Sequence, residues 1–132
     1  MTMLLLQTDL RPSPIDGIGC FARHPILRGT PIWRFVPGFD QILDEAFASA
    51  RCNARFLATY AQQCPETGFW VLCCDDARFI NHADNPNMGQ VAPLFDPRFT
   101  HDALRDIAAG EEITCDYRIG DAQPFHGFEV AA

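Results

Sequence analysis

The sequence predicts a mainly β fold, made of short strands around one small helical insert. Three observations predict it. Short apolar runs recur along the whole chain, and most are closed by glycine or proline. Only one stretch, from about Asp40 to Gln63, repeats its apolar residues at helical spacing. The chain has 132 residues, 48% of them hydrophobic, which suits a single domain with a real core.

The elements follow in order. "MLLLQT" (3–8) reads as a first strand, broken by Pro12 and Pro14. "GIGCFA" (17–22) is a turn running into a short strand. "LRGT" (27–30) is a turn before the strand "PIWRFV" (31–36), which "PG" (37–38) ends. In the insert, Phe47, Ala50, Ala54 and Leu57 make one apolar face, and Asp44 stands where it can cap the main section. "GFWVLCC" (68–74) reads as a buried strand. "MGQVAPLF" (88–95) and "FTHDALRDI" (99–107) read as strands, and "AAGEEITCDY" (108–117) as a turn and a last strand. The tail, about 118–132, has no clear period. No repeat or linker divides the chain, so one domain over 1–132 is expected.

Composition excludes several functions. The net charge is −7, and all ten basic residues are arginines. That balance argues against nucleic-acid binding through phosphates and is compatible with a basic partner. No apolar stretch is long enough to span a bilayer. The start, "MTMLLLQTDL", has a short apolar run and no basic region before it, so no signal peptide is read and a cytoplasmic protein is expected. None of the six cysteines is spaced as C-x-x-C, which argues against a zinc finger or ribbon and leaves free thiols as the simple reading.

Three segments can carry chemistry. "DGIGCFA" allows close backbone approach to a ligand, although Gly-x-Gly alone is also an ordinary tight turn. "RFINHADNPN" (78–87) crowds an arginine, three asparagines and a histidine around a proline that forbids a plain helix or strand. Asn81 and His82 there offer adjacent donors and acceptors. "GEEITCDY" ends a strand on a tyrosine, which by itself could be a core edge.

Taken together and in this order, the three segments resemble the SET-domain protein lysine methyltransferases, from about Ile15 to Tyr117. "LRGTPIWRF" and "LRDIAAGEEIT" are also similar to segments of that family. The closest likeness is to short stand-alone bacterial or viral members. The resemblance implies a SET-domain (β-clip-like) fold in which "RFINH" and "GEEITCDY" form a C-terminal pseudoknot. It implies S-adenosylmethionine as cofactor and a lysine-containing, basic protein as substrate, with no direct nucleic acid and no membrane. Tyr117 takes the catalytic place. Gly17, Ile18 and Gly19, through backbone, with Asn81 and His82, take the cofactor contacts, and Tyr60 is an added aromatic candidate. Phe125 or Phe128 of the tail would cover the adenine, with Phe128 the chosen candidate. Phe35, Trp33 and Gln90 are candidates for the substrate channel, and small viral members form dimers, so a homodimer is left open.

Two departures matter. Relatives with a zinc-binding C-terminal segment place a cysteine where Asp84 stands, and here no cysteine follows Cys115, so no metal site is expected. Gln90 occupies a place where relatives have an aromatic residue that helps set the number of methyl groups. Two other readings stand beside the enzyme: a non-catalytic SET-like module that binds a cofactor or peptide, and a metal-assisted hydrolase using Asp75, Asp76 and His82. The last is disfavoured, because neighbouring residues on a strand point to opposite faces.

Overall fold

A computed structural model describes residues 4–65, 67–92 and 100–119. The chain is built of short, mostly antiparallel strands with two small helices. A hairpin pairs β1 (Thr8–Pro12) with β2 (Ile18–Ala22), Pro12 opposite Ile18. The first strand thus lies later than expected. Leu4 instead bridges Trp33, and the Leu5 amide donates to Ile32 O at 2.8 Å, because the leucine run is drawn into the core. Leu4 is 5% exposed.

β3 (Pro31–Trp33) joins β8 (Met88–Val91) and β9 (Thr100–Ala103) in the order β3-β9-β8. Trp33, His101 and Gln90 lie in register across this sheet. The expected strand over 99–107 is cut to its first half. Ile107 still reaches Ile26 through an isolated bridge.

The insert differs most from expectation. It is two seven-residue helices, α1 (Glu45–Arg51) and α2 (Ala54–Tyr60), held by β4 (Gln41–Leu43), β5 (Ala61–Gln63) and β6 (Trp70–Leu72) in the order β4-β6-β5. Asp44 does cap α1, accepting from Phe47 N at 2.7 Å. Cys52 is extended, and Asn53 starts α2 afresh by accepting from Phe56 N at 3.0 Å. The break rotates the face. Ala48 and Leu57 are buried while Phe47 is half exposed.

β7 (Asn81–His82) and β10 (Thr114–Cys115) form a two-residue parallel pair. The main core holds Cys20, Ile32, Ile107 and Ile113, each nearly inaccessible. It ties the hairpin, the β3-β9-β8 sheet and the last strand to one another, and the site lies along its edge.

Candidate active site

The site begins after β6. Asp75 starts a short 3-10 turn, Asp76–Phe79, accepting from Ala77 N at 3.0 Å and from Leu4 N at 2.8 Å. That turn projects Arg78. Its Nε donates to Cys73 O at 3.2 Å, and its guanidinium lies 5.7 Å from the Tyr60 ring and 5.8 Å from Phe56. Tyr60 reaches this place because α2 ends there, its ring tilted against Phe56 at 5.1 Å and edge-on to Phe79 at 6.0 Å.

The next residues enter the parallel pair. Asn81 stands opposite Thr114 and His82 opposite Cys115, which sets Tyr117 beside Ile80. The Tyr117 hydroxyl donates to Ile80 O at 2.6 Å, and the Tyr117 amide donates to His82 Nδ1 at 3.1 Å. Since Nδ1 accepts, Nε2 is the ring's donor, 3.0 Å from Asp84 Oδ1.

The asparagines of this segment replace a strand ladder. Asn87, 1% exposed, accepts from Thr114 N through Oδ1 and donates to Glu112 O through Nδ2, both at 2.8 Å. Asn81 Nδ2 donates to Asp16 O at 3.0 Å, to Glu112 Oε2 at 2.9 Å and, more weakly, to Ile18 O at 3.4 Å. Gly17 needs its freedom, with φ of +46°, and an added Cβ there would meet nothing within 4 Å.

A cleft of about 100 Å³ opens beside Tyr117. Tyr60, Arg78, Trp33, Met88, Ile80 and His101 line it with Tyr117. Of the residues singled out by sequence, the cleft gathers Tyr60, Tyr117 and Trp33. Gly17, Ile18, Gly19, Asn81 and His82 lie on neighbouring elements and do not line its wall. Neither do Phe35, which packs against the core, and Gln90, whose amide donates to Ala92 O at 3.0 Å. Phe125 and Phe128 lie outside the described residues.

Sequence reasoning missed three groups. Arg78 was visible in "RFINH" but had no assigned role. Glu112 was visible in "GEEITCDY" and likewise had none. His101 had no signal beyond its place in a strand. Burial pulls His101 down to about 4, so its ring is neutral at pH 7, edge-on to Trp33 at 5.3 Å. The Arg118 guanidinium holds Asp116 at about 2, through contacts of 2.9 Å to each carboxylate oxygen. Burial pushes the Cys73 thiol far up, which keeps it protonated.

Asp75 serves as a helix cap and Asp76 is exposed. Among the described residues no group of three or more His, Cys, Asp or Glu side chains could hold a metal ion. Among them, too, no helix is long and apolar enough to cross a membrane.

A family model described as "SET domain" matches residues 17–118. No curated protein matches by sequence. Solved structures do. One is a humanized mutant of the Polycomb Repressive Complex 2 of Chaetomium thermophilum bound to an inhibitor, with 21% identity, 91% of this chain covered and a TM-score of 0.68. Another is an apo form of that complex with mutations in Ezh2, at 23% identity, 90% coverage and a TM-score of 0.71. A third is the complex in an autoinhibited conformation bound to S-adenosylmethionine, at 22% identity, 90% coverage and a TM-score of 0.69. This chain spans 16% of the length of each of those chains, and the likeness shows a shared fold.

Proposed function

The chain belongs to the SET-domain family, and from that premise we propose that it is an S-adenosylmethionine-dependent methyltransferase acting on the side-chain amine of lysine in a protein substrate. One observation carries the reading. A phenol anchored to a backbone carbonyl, a guanidinium and an aromatic face share one small cleft.

The residues present fit the cofactor. Arg78 offers its guanidinium to a carboxylate, and Tyr60 offers a ring to a cation. The open space at Gly17 leaves room for a ligand near the loop that Asn81 holds. Phe128 stays a candidate cover for the adenine. When bound, the cofactor supplies an electrophilic methyl group on a positively charged sulfur.

The chain's own residues do the rest. The Tyr117 hydroxyl spends its one hydrogen on Ile80 O, so toward a ligand its oxygen acts as an acceptor. That suits an amine N–H or a polarised methyl C–H. Free lysine has a pKa of about 10.4, so neutralising it at pH 7 costs roughly 4–5 kcal/mol. The apolar wall of Trp33, Met88 and Ile80, with the neutral ring of His101, disfavours an ammonium and lowers that cost. Holding the amine in line with the methyl is then the main task.

The same reading takes 1–132 as one SET domain with its segments crossed in a pseudoknot. It places Phe35 and Gln90 toward the substrate side, and makes the protein cytoplasmic with a basic protein partner and no metal. The test is direct. Purified protein should bind S-adenosylmethionine in calorimetry and label a lysine-rich basic protein from radiolabelled cofactor. Binding without labelling would leave a non-catalytic module, and no binding would end the proposal.

A further inference from the structure

The Gly17–Ile18 turn lies far from the last strand in sequence, yet one side chain just before that strand holds it. Glu112 accepts from Ser13 Oγ through both carboxylate oxygens, at 2.7 and 2.9 Å. Its Oε2 also accepts from Asn81 Nδ2 at 2.9 Å, and the same amide group donates to Asp16 O and Ile18 O. Ser13 closes the loop on itself. Its amide donates to Gly17 O at 2.8 Å, and its Oγ accepts from Ile15 N at 3.0 Å. The carboxylate is therefore the hub between the start of the loop and the amide that grips its end.

Gly19 shows how closely the hub is built. A Cβ at Gly19 would stand 2.5 Å from Glu112 Oε2 and 3.0 Å from Ser13 Cβ. Gly19 has no unusual φ, so a turn does not explain the glycine. Room for the carboxylate does.

We propose that Glu112 is a positioning residue for the cofactor: it fixes the 13–18 loop so that its outward backbone at Gly17 and Ile18 is preformed, and Gly19 is glycine to admit Glu112 rather than the ligand. This rests on the methyltransferase reading. It gives Gly19 a different role from the cofactor contact that the family resemblance implies. Preforming a loop lowers the ordering cost of binding, so its loss appears in affinity before it appears in the chemical step.

The experiment uses the full chain with Glu112→Ala, Glu112→Gln, Ser13→Ala, Gly19→Ala and the Gly19→Ala/Glu112→Ala pair. Hydrogen exchange reads the Ile15, Asp16 and Ile18 amides, and calorimetry reads S-adenosylmethionine affinity. Glu112→Ala should speed exchange in the loop and weaken the cofactor about tenfold, with KM for the cofactor rising far more than kcat falls. Glu112→Gln keeps the shape and should recover most of both. Gly19→Ala alone should do comparable harm, yet add less than about twofold once Glu112 is alanine, because the two act through one contact. Ser13→Ala, which fills no space, gives the same readout if the Glu112→Ala variant fails to fold. Unchanged loop exchange, unchanged affinity, or additive harm from Gly19→Ala would overturn the proposal. Wild-type protein that binds no cofactor would instead defeat the functional reading, while exchange would still decide whether Glu112 holds the loop.

Discussion

The smallest unit with a separable role is the Tyr117 hydroxyl. Tyr117→Phe keeps the ring and loses the hydroxyl that donates to Ile80 O. Cofactor affinity should stay within about twofold while turnover falls by roughly 100-fold or more, since the contact acts mainly in the transition state. Equal turnover in stopped assays of labelled substrate would remove Tyr117 from catalysis. Asn81→Ala acts differently. It strips the buried amide that joins Asp16, Ile18 and Glu112, losing hydrogen bonds worth about 1 kcal/mol each. We expect lower thermal stability and weaker cofactor binding together, and unchanged affinity in a folded variant would contradict it. His101 gives a pH signature. Its folded pKa, about 4, is below the ordinary value of 6.5. The unfolded chain therefore takes up the proton first. The stability from the neutral buried ring is complete above about pH 6.5 and is lost as pH falls toward 4, up to about 3 kcal/mol. His101→Gln should flatten urea-melt stability between pH 4.5 and 7, and an equally steep curve would exclude the residue as the cause. Asp116, held down by Arg118, adds its own loss only at lower pH, between about 4 and 2.

At the scale of elements, the two helices of the insert do different work. α1 carries one buried residue, Ala48, while α2 carries Tyr60 into the cleft. Each begins on a side-chain cap. Asp44→Ala and Asn53→Ala should each cost about 1 kcal/mol in thermal unfolding. Only Asn53→Ala should also raise KM for the cofactor, because it loosens the helix that positions Tyr60. Equal effects on KM would mean that the insert responds as one body. The insert also shows where sequence reading stopped. A helical period was legible across 40–63, but it was read through Cys52, where the backbone is extended and Asn53 restarts the count. β4 and β5 have three residues each, too few to display an alternating pattern. β2, β3 and the last turn were legible because glycine and proline mark their ends, but the hairpin was not, since β1 runs at Thr8–Pro12 through a proline expected to break the strand at 3–8. Of the cleft residues, Tyr60 and Tyr117 were singled out through the family resemblance, while Asn81 and His82, singled out in the same way, stand outside its wall. Arg78, His101 and Glu112 were not, since what each does depends on segments brought in from elsewhere, as with Glu112 and Ser13.

For the whole molecule, the absence of lysine and the net charge of −7 bear on the proposed activity. A lysine-selective cleft finds no side-chain substrate in another copy of this chain. Tag-free protein with radiolabelled cofactor should show no detectable self-labelling where a lysine-rich basic protein labels strongly. Strong labelling of the enzyme alone would show that the cleft does not select lysine. The parallel pair of β7 and β10 has a further consequence, in the order of events. Two residues on each side are too few to hold together alone, and beside them the contact of Ser13 with Glu112 joins the two ends of the described chain. Contacts of such long sequence separation form late, after the loops between them have closed. A growing chain that has delivered its hairpin, its insert and the turn with Arg78 still has no site. The phenol, the carboxylate and the strand that places them all arrive with the last described stretch. The protein therefore gains its core and its chemistry at the same moment, and no shortened product that stops before Glu112 can be a weaker version of the whole.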